Sequence, residues 1–288
     1  MKQDHVPEGI KPRHESKERH IAESDFYPLV NTQLQSRYDR IATKWNGTAY
    51  ENTRRDDLLP VLIQNADLAD GQRILEAMSG PARLAENVKK SFPNSHIVAL
   101  DFSMGMLNEA SNELEKVCAS VLGMPFDKST FDRILLRTAI YDLPRRLQRN
   151  ALAEVCRVLK LQGVFVLQTY ISESKTQKTL NDIANLKDRL AGQYQDMGDE
   201  PPRYFATKQE FSEWFSDVGL VAQEVLTFES AIQLQKASEM SETAKAQWTG
   251  YLDALDAGTK ADIGLAVEAS GSHTYKLPGV VYKLTRAF

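Results

Sequence analysis

From Phe26 to about Asp67, apolar residues recur at helical spacing: Leu29, Leu34, Tyr38, Ile41, Ala42 and Trp45, then Leu58, Leu59, Leu62 and Ile63, with Pro60 early in the second run. This predicts an N-terminal helical region. At Gly71 the period changes. Short β-rich runs follow at 73–76, 96–101, 117–121 (the weakest), 131–136 and 164–167, with helical stretches at 82–91, 104–116 and 145–160 between them, the last stopped at Gly163. Strands that alternate with helices pair in parallel, because each crossover helix returns the chain to the end of the sheet where the previous strand began. Further on, Thr207-Lys208-Gln209-Glu210 reads as a capping box opening a helix that carries Phe211, Trp214, Phe215 and Val218 and closes at Gly219. A strand at 220–229, a helical stretch at 241–268 and a final strand Gly279–Leu284 complete the pattern. The expected fold class is α/β, a doubly wound, mostly parallel seven-stranded sheet with a helical insertion.

Residues 1–24 mix Lys, Glu, Arg and three histidines (His5, His14, His20) with almost no large apolar side chains, so they are expected to form a disordered, solvated tail. The histidine spacing repeats no ligand pattern, and no metal is expected. Residues 25–68 are then the helical region and 69–288 the sheet domain, with insertions at about 170–206 and 232–276. Thirty-five Lys and Arg against 39 Asp and Glu leave a net charge of −4, without the basic excess that phosphate neutralisation needs, so no nucleic acid is expected as a partner. Cys118 and Cys156 stand far apart without a CxxC motif, as suits a reducing compartment. No apolar run approaches the ~18 residues of a membrane span, and the start lacks a signal peptide's apolar segment. A cytoplasmic protein, with no membrane partner, is expected.

In an open parallel sheet, ligands bind beyond the carboxyl ends of the strands, so the loops after Glu76, Asp101 and Leu136 should converge on one crevice. The first loop, Glu76-Ala77-Met78-Ser79-Gly80-Pro81-Ala82-Arg83, brings Gly80 and a helix N-terminus to a ligand but does not fit the GxGxxG spacing of a dinucleotide site. An uncharged or cationic adenosyl ligand suits it better. Asp101 ends the second strand, where a carboxylate can accept hydrogen bonds from both ribose hydroxyls or cap the following helix.

Four segments in order, Ile74–Arg83, Asp101–Leu107, Met124–Phe126 with Ser129–Asp132, and Glu154–Gly163, together resemble the class I S-adenosylmethionine-dependent methyltransferases of small-molecule type. The resemblance covers about residues 35–170. It implies a Rossmann-like fold with the last strand antiparallel and S-adenosylmethionine as cofactor. By that resemblance, Glu76, Ala77, Met78 and Gly80 wrap the methionine part and Asp101 holds the ribose. Phe102 and Met106 sandwich the adenine, Ser120 and Val121 line its edge, and Arg137 and Tyr38 complete the cofactor set. Residues 38–45 resemble the family's N-terminal lid. Family members usually have glycine where Met78 and Ala82 stand, and an acidic side chain where Ser120 stands. A positive φ at Met78 or Ala82 would therefore be strained, and Met78 reads equally as a core contact.

Because a sulfonium methyl is already activated, the reaction expected is direct in-line displacement, catalysed mainly by positioning. Tyr141 is the candidate catalytic residue, as a hydrogen-bond donor or an aromatic wall, with Asp142 and Tyr170 also on the acceptor side. Asp142 reads equally as a cap of the helix beginning near Pro144. His96 opens a strand at the opposite end of the sheet and is read as structural. Aromatic residues outside the shared core, among them Tyr27, Trp45, Tyr50, Tyr194, Phe205 and Trp248, offer surface to cover a small-molecule acceptor. A homodimer is compatible with this reading. Residues 46–55 read as a hinge for the lid. The alternatives are a non-catalytic cofactor-binding or scaffolding protein on the same fold, and an enzyme that uses the cofactor for other chemistry.

Overall fold

The computed structural model describes residues 23–45, 55–190, 192, 201–233, 241–267 and 273–287, with side chains in the first helix from Thr32 onward. Of the tail expected over 1–24, residues 1–22 lie outside the described residues, as do most of the hinge at 46–54, Tyr50, Tyr194 and the Tyr27 side chain, while Glu23 and Ser24 already belong to the first helix.

The chain runs α1 (Glu23–Trp45), a 3₁₀ turn (Asp56–Leu58), α2 (Leu59–Asn65), β1 (Arg73–Ala77), α3 (Arg83–Ser91), β2 (His96–Asp101), α4 (Met104–Asn108) and β3 (Glu115–Cys118). It continues with β4 (Phe131–Arg137), a 3₁₀ turn (Ile140–Asp142), α5 (Arg145–Val158), β5 (Leu159–Tyr170), α6 (Gln177–Leu190) and α7 (Lys208–Asp217). Then follow β6 (Leu220–Gln233), α8 (Glu242–Ala254), α9 (Ala257–Asp262), β7 (Ala266–Val267) and β8 (His273–Arg286). The sheet order is β3-β2-β1-β4-β5-β8-β6, with the two-residue β7 added against β8. The first five strands pair in parallel, and β8 is antiparallel to both β5 and β6.

Alternate residues of the central strands feed two cores, as the two-residue period of a strand requires. Leu75, Val98, Leu100, Ile134, Leu136, Phe165 and Leu167 face α5 through its Leu147, Ala151 and Val155. Ile74, Ala99, Leu135, Val164 and Val166 face α3 through its Leu84, Ala85 and Val88. A third, aromatic core joins Tyr141, Tyr170, Phe205, Trp248 and Tyr275 beneath α6 and α8, so the two insertions close over one end of the sheet. The capping box of α7 forms as expected: Thr207 Oγ1 accepts from the Glu210 amide at 3.2 Å, and Glu210 Oε2 accepts from the Thr207 amide at 3.0 Å.

Several boundaries differ from expectation: the weak strand expected at 117–121 lies at Glu115–Cys118, the final strand runs from His273 to Arg286, and three helical stretches end or divide elsewhere. The helix expected over 104–116 ends at Asn108, because Glu115 already pairs with Val98 and the chain must turn between them. The helix expected to stop at Gly163 ends at Val158, and β5 starts at once. Leu159 stands opposite Phe131 and Val164 opposite Arg133, so residues 160–163 form a bulge. Gly163 is needed there for closeness: a Cβ would lie 2.5 Å from Leu159 Cδ1 and 2.9 Å from the Lys160 carbonyl oxygen. Finally, the stretch expected helical over 241–268 divides where the Asp256 side chain accepts from the Thr259 amide at 2.9 Å and starts α9.

Candidate active site

The carboxyl ends of β1, β2 and β4 open onto a single crevice of about 850 Å³, counting the part continuous with solvent. After β1 the chain turns through three residues with left-handed backbone: Met78 (φ 52°), Gly80 (φ 54°) and Ala82 (φ 55°). The loop is held by hydrogen bonds from Ser79 N–H to the Leu100 carbonyl (2.9 Å) and from Gly80 N–H to Asp101 Oδ2 (2.8 Å). At Met78 and Ala82 this conformation costs on the order of 1 kcal/mol each. Ala82 flanks α3 without offering a side-chain cap, and Glu76 does that work from the strand, its Oε2 accepting from the Ala85 amide at 2.7 Å.

Asp101 is 5% exposed, and its second oxygen, Oδ1, accepts from Ser103 N–H at 2.9 Å. Ser103, not Asp101, caps α4, accepting from Met106 N–H at 3.1 Å. The Asp101 carboxylate is thereby fixed at the rim with acceptor capacity to spare. Burial pushes it up to about 6, opposed by the hydrogen bonds from Ser103 and Gly80. Burial likewise pushes Glu76 up to about 7, against the attraction of Arg137.

Helix α1 lies across the opening. Its Asp39 Oδ1 accepts from the Ser103 hydroxyl at 2.5 Å and the Gly105 amide at 2.9 Å, and Gln35 Nε2 donates to the Phe102 carbonyl at 2.9 Å. Tyr38 stands edge-on to Phe102 at 5.9 Å and donates its hydroxyl to Asp142 on the opposite wall. Asp142 also accepts from Arg203 Nε at 2.7 Å. It is therefore no helix cap: α5 follows Pro144 without any side-chain cap.

Of the residues expected at the cofactor, Tyr38, Glu76, Met78, Gly80, Asp101, Phe102, Met106, Ser120, Val121 and Arg137 all line the crevice. Ala77 does not; it is fully buried in the core below the floor. Tyr141 is also outside the lining, packed 5.6 Å from Tyr170 and 5.2 Å from Phe205, and burial raises its pKa well above the ordinary phenol value. Tyr170 is buried too and donates to Ser230 Oγ at 3.0 Å. Met78 both lines the crevice and packs on the core. At the other end of the sheet His96 Nε2 meets Glu115 at 2.6 Å. Sequence reasoning missed Leu34, Leu100, Ala119, Thr138, Ala139 and Leu143 as lining residues. The position of the last three in the loop after β4 was the available signal.

Residues 74–163 match the family model described as methyltransferase domain. Over those residues the chain is similar to methyltransferase domains. A demethylmenaquinone methyltransferase of Corynebacterium urealyticum is 30% identical over 145 residues, 50% of this chain and 54% of that one. A second, from Renibacterium salmoninarum, is 23% identical over 213 residues, 66% of this chain and 88% of that one. The chain thus spans about half the length of the first of these relatives. The YcgJ protein of Bacillus subtilis shares its fold, with a TM-score of 0.67 at 19% identity over 81% of this chain and 99% of that one. Among the described residues, no cluster of His, Cys, Asp and Glu could hold a metal, and no helix is long and apolar enough to cross a membrane.

Proposed function

We propose that this protein is an S-adenosylmethionine-dependent methyltransferase that transfers a methyl group to a small organic acceptor by direct in-line displacement. The observation that carries the reading is the Asp101 carboxylate, fixed at the end of β2 by two backbone amides beside the Gly80 turn. The lining suits the cofactor. Asp101 can accept from both ribose hydroxyls, Phe102, Met106 and Val121 offer apolar surface to an adenine, and Glu76 offers a buried carboxylate to a cationic ligand. A Cβ placed on Gly80 would meet no atom within 4 Å, so the backbone there opens onto free space. When bound, the cofactor supplies an activated methyl whose bond to sulfur breaks, with the electron pair going to sulfur, as the acceptor lone pair forms the new bond.

What remains for the chain is alignment and exclusion of water. Leu34, Trp45, Ala139 and Leu143 give an apolar wall for the acceptor, with the Asp142 carboxylate as its polar feature. Asp142 takes the acceptor-side place that the sequence assigned to Tyr141. Tyr141 lies in the aromatic core, its ring 5.9 Å from the guanidinium of Arg203, which in turn holds Asp142. The demethylmenaquinone named in two relatives is an acceptor of suitable class to try first. Calorimetry with S-adenosylmethionine and S-adenosylhomocysteine tests the reading: micromolar binding of both supports it, and binding of neither refutes it. A mass-spectrometric screen of cell extract for the gain of one methyl group would then find the acceptor. A non-catalytic scaffold is the second reading, favoured by the strained left-handed Met78 and Ala82, and it predicts that neither ligand binds.

A further inference from the structure

Glu76 is 2% exposed and lines the crevice. The charged groups facing it come from every element packed around it: Asp101 at the end of β2, Arg137 from β4 and Glu86 from α3. The two cations nearby are already engaged. Arg137 Nη1 meets Asp56 Oδ1 at 2.7 Å, and Arg83 Nε stands 3.7 Å from Asp56 Oδ2. Among the described residues neither Glu76 nor Asp101 has an ion-pair partner within 4 Å, so two carboxylates share one buried wall, with Asp39 adding further negative charge beside Asp101. A buried carboxylate whose nearest cation is paired elsewhere, as Arg137 is with Asp56, favours its protonated form, and a cationic ligand against it reverses that preference.

Resting on the function proposed above, we propose that Glu76 is a charge sensor for the cofactor: it receives the sulfonium form as a carboxylate, releasing its proton to solvent. It takes a proton back when the site holds the neutral thioether product. The two ligands share their ribose, adenine and amino-acid groups, so Asp101 serves both alike and the ratio of their affinities isolates the sulfonium charge. The crevice then prefers the methyl donor over the spent product, and the product leaves a site that no longer needs to be charged. Because Glu76 is pushed up to about 7, this preference should weaken below neutral pH. One linked proton changes the affinity ratio up to tenfold per pH unit.

The test is calorimetry of S-adenosylmethionine and S-adenosylhomocysteine between about pH 6 and about pH 8, in buffers of different ionisation enthalpy. The expected result is proton release with the sulfonium ligand, little with the thioether, and a donor-over-product affinity ratio that decreases as the pH is lowered in the wild type but stays flat in Glu76→Gln. Should that variant not fold, infrared difference spectra of the wild type serve instead: a protonated carboxyl band should vanish with the sulfonium ligand and persist with the thioether. A pH-independent ratio, or a band unmoved by either ligand, overturns the charge sensor while leaving the proposed function standing. Binding of neither ligand overturns both.

Discussion

Replacing Asp101 by Asn should separate ligand binding from stability. The wild-type carboxyl rises from 3.8 to about 6 in the fold, chiefly by burial, which corresponds to roughly 3 kcal/mol. The sign follows from the raised value. The protonated form is the better buried one, so its contribution to stability is full below about pH 4 and lost as the pH climbs through about 6. At pH 8 the native state carries the whole ionisation cost. Asparagine cannot ionise and escapes it, but its amide group must face either Gly80 N–H or Ser103 N–H, leaving one buried donor unpaired at a cost of about 1–3 kcal/mol. The two effects oppose each other, and urea unfolding at pH 8 should find the variant within about 2 kcal/mol of wild type. Binding has no such compensation: losing a charged acceptor shared by two hydroxyls costs about 1.5–3 kcal/mol, or roughly tenfold to a hundredfold in affinity for S-adenosylhomocysteine. Asp101→Ala would be the poorer probe, because it strands both amides and loosens the Gly80 turn. An Asp101→Asn protein that binds the ligand within threefold of wild type would show that the carboxylate does not hold it.

Ala82→Gly should raise stability by roughly 0.5–1 kcal/mol in urea unfolding, because relief of the left-handed backbone outweighs the added freedom of the unfolded chain; lower stability would mean the φ of 55° is not strained. Gly105→Ala should lift α1 from the crevice, since the new Cβ would stand 2.9 Å from Asp39 Oδ1 and 3.1 Å from Asp39 Cα. Hydrogen exchange over residues 32–45 should then quicken with little change in Tm, and unaltered exchange would refute the contact. Tyr38→Phe removes the hydroxyl donated to Asp142, a charge-assisted bond of about 1.5 kcal/mol or more. It should weaken cofactor binding several-fold in calorimetry while circular dichroism stays unchanged; equal affinity would show that α1 is held over the crevice without it.

Much of this protein was legible in its residue pattern. The two-residue period of the strands, the 3.6-residue period of the helices and the capping box at Thr207 are local signals, each written within a few neighbouring residues, and the sheet assembled from them as expected. The crevice was legible for the same reason: Glu76 and Asp101 end apolar strands, and in a parallel sheet strand ends converge. What local pattern could not decide were choices between alternatives that look alike over short range. Gly163 reads as a helix stop, yet serves as a bulge because Leu159 pairs with Phe131. The helix after Ser103 is cut short because β3 must reach Val98 by Glu115. Tyr141 and Asp142 are adjacent and equally suited to a site. Only the tertiary fold sends the tyrosine into the aromatic core and the carboxylate into the crevice, where Arg203, far along the chain, and Tyr38, far before it, hold it in place. A residue's period is set by its own backbone, but the face it presents to a ligand is set by partners that the chain brings near only on folding.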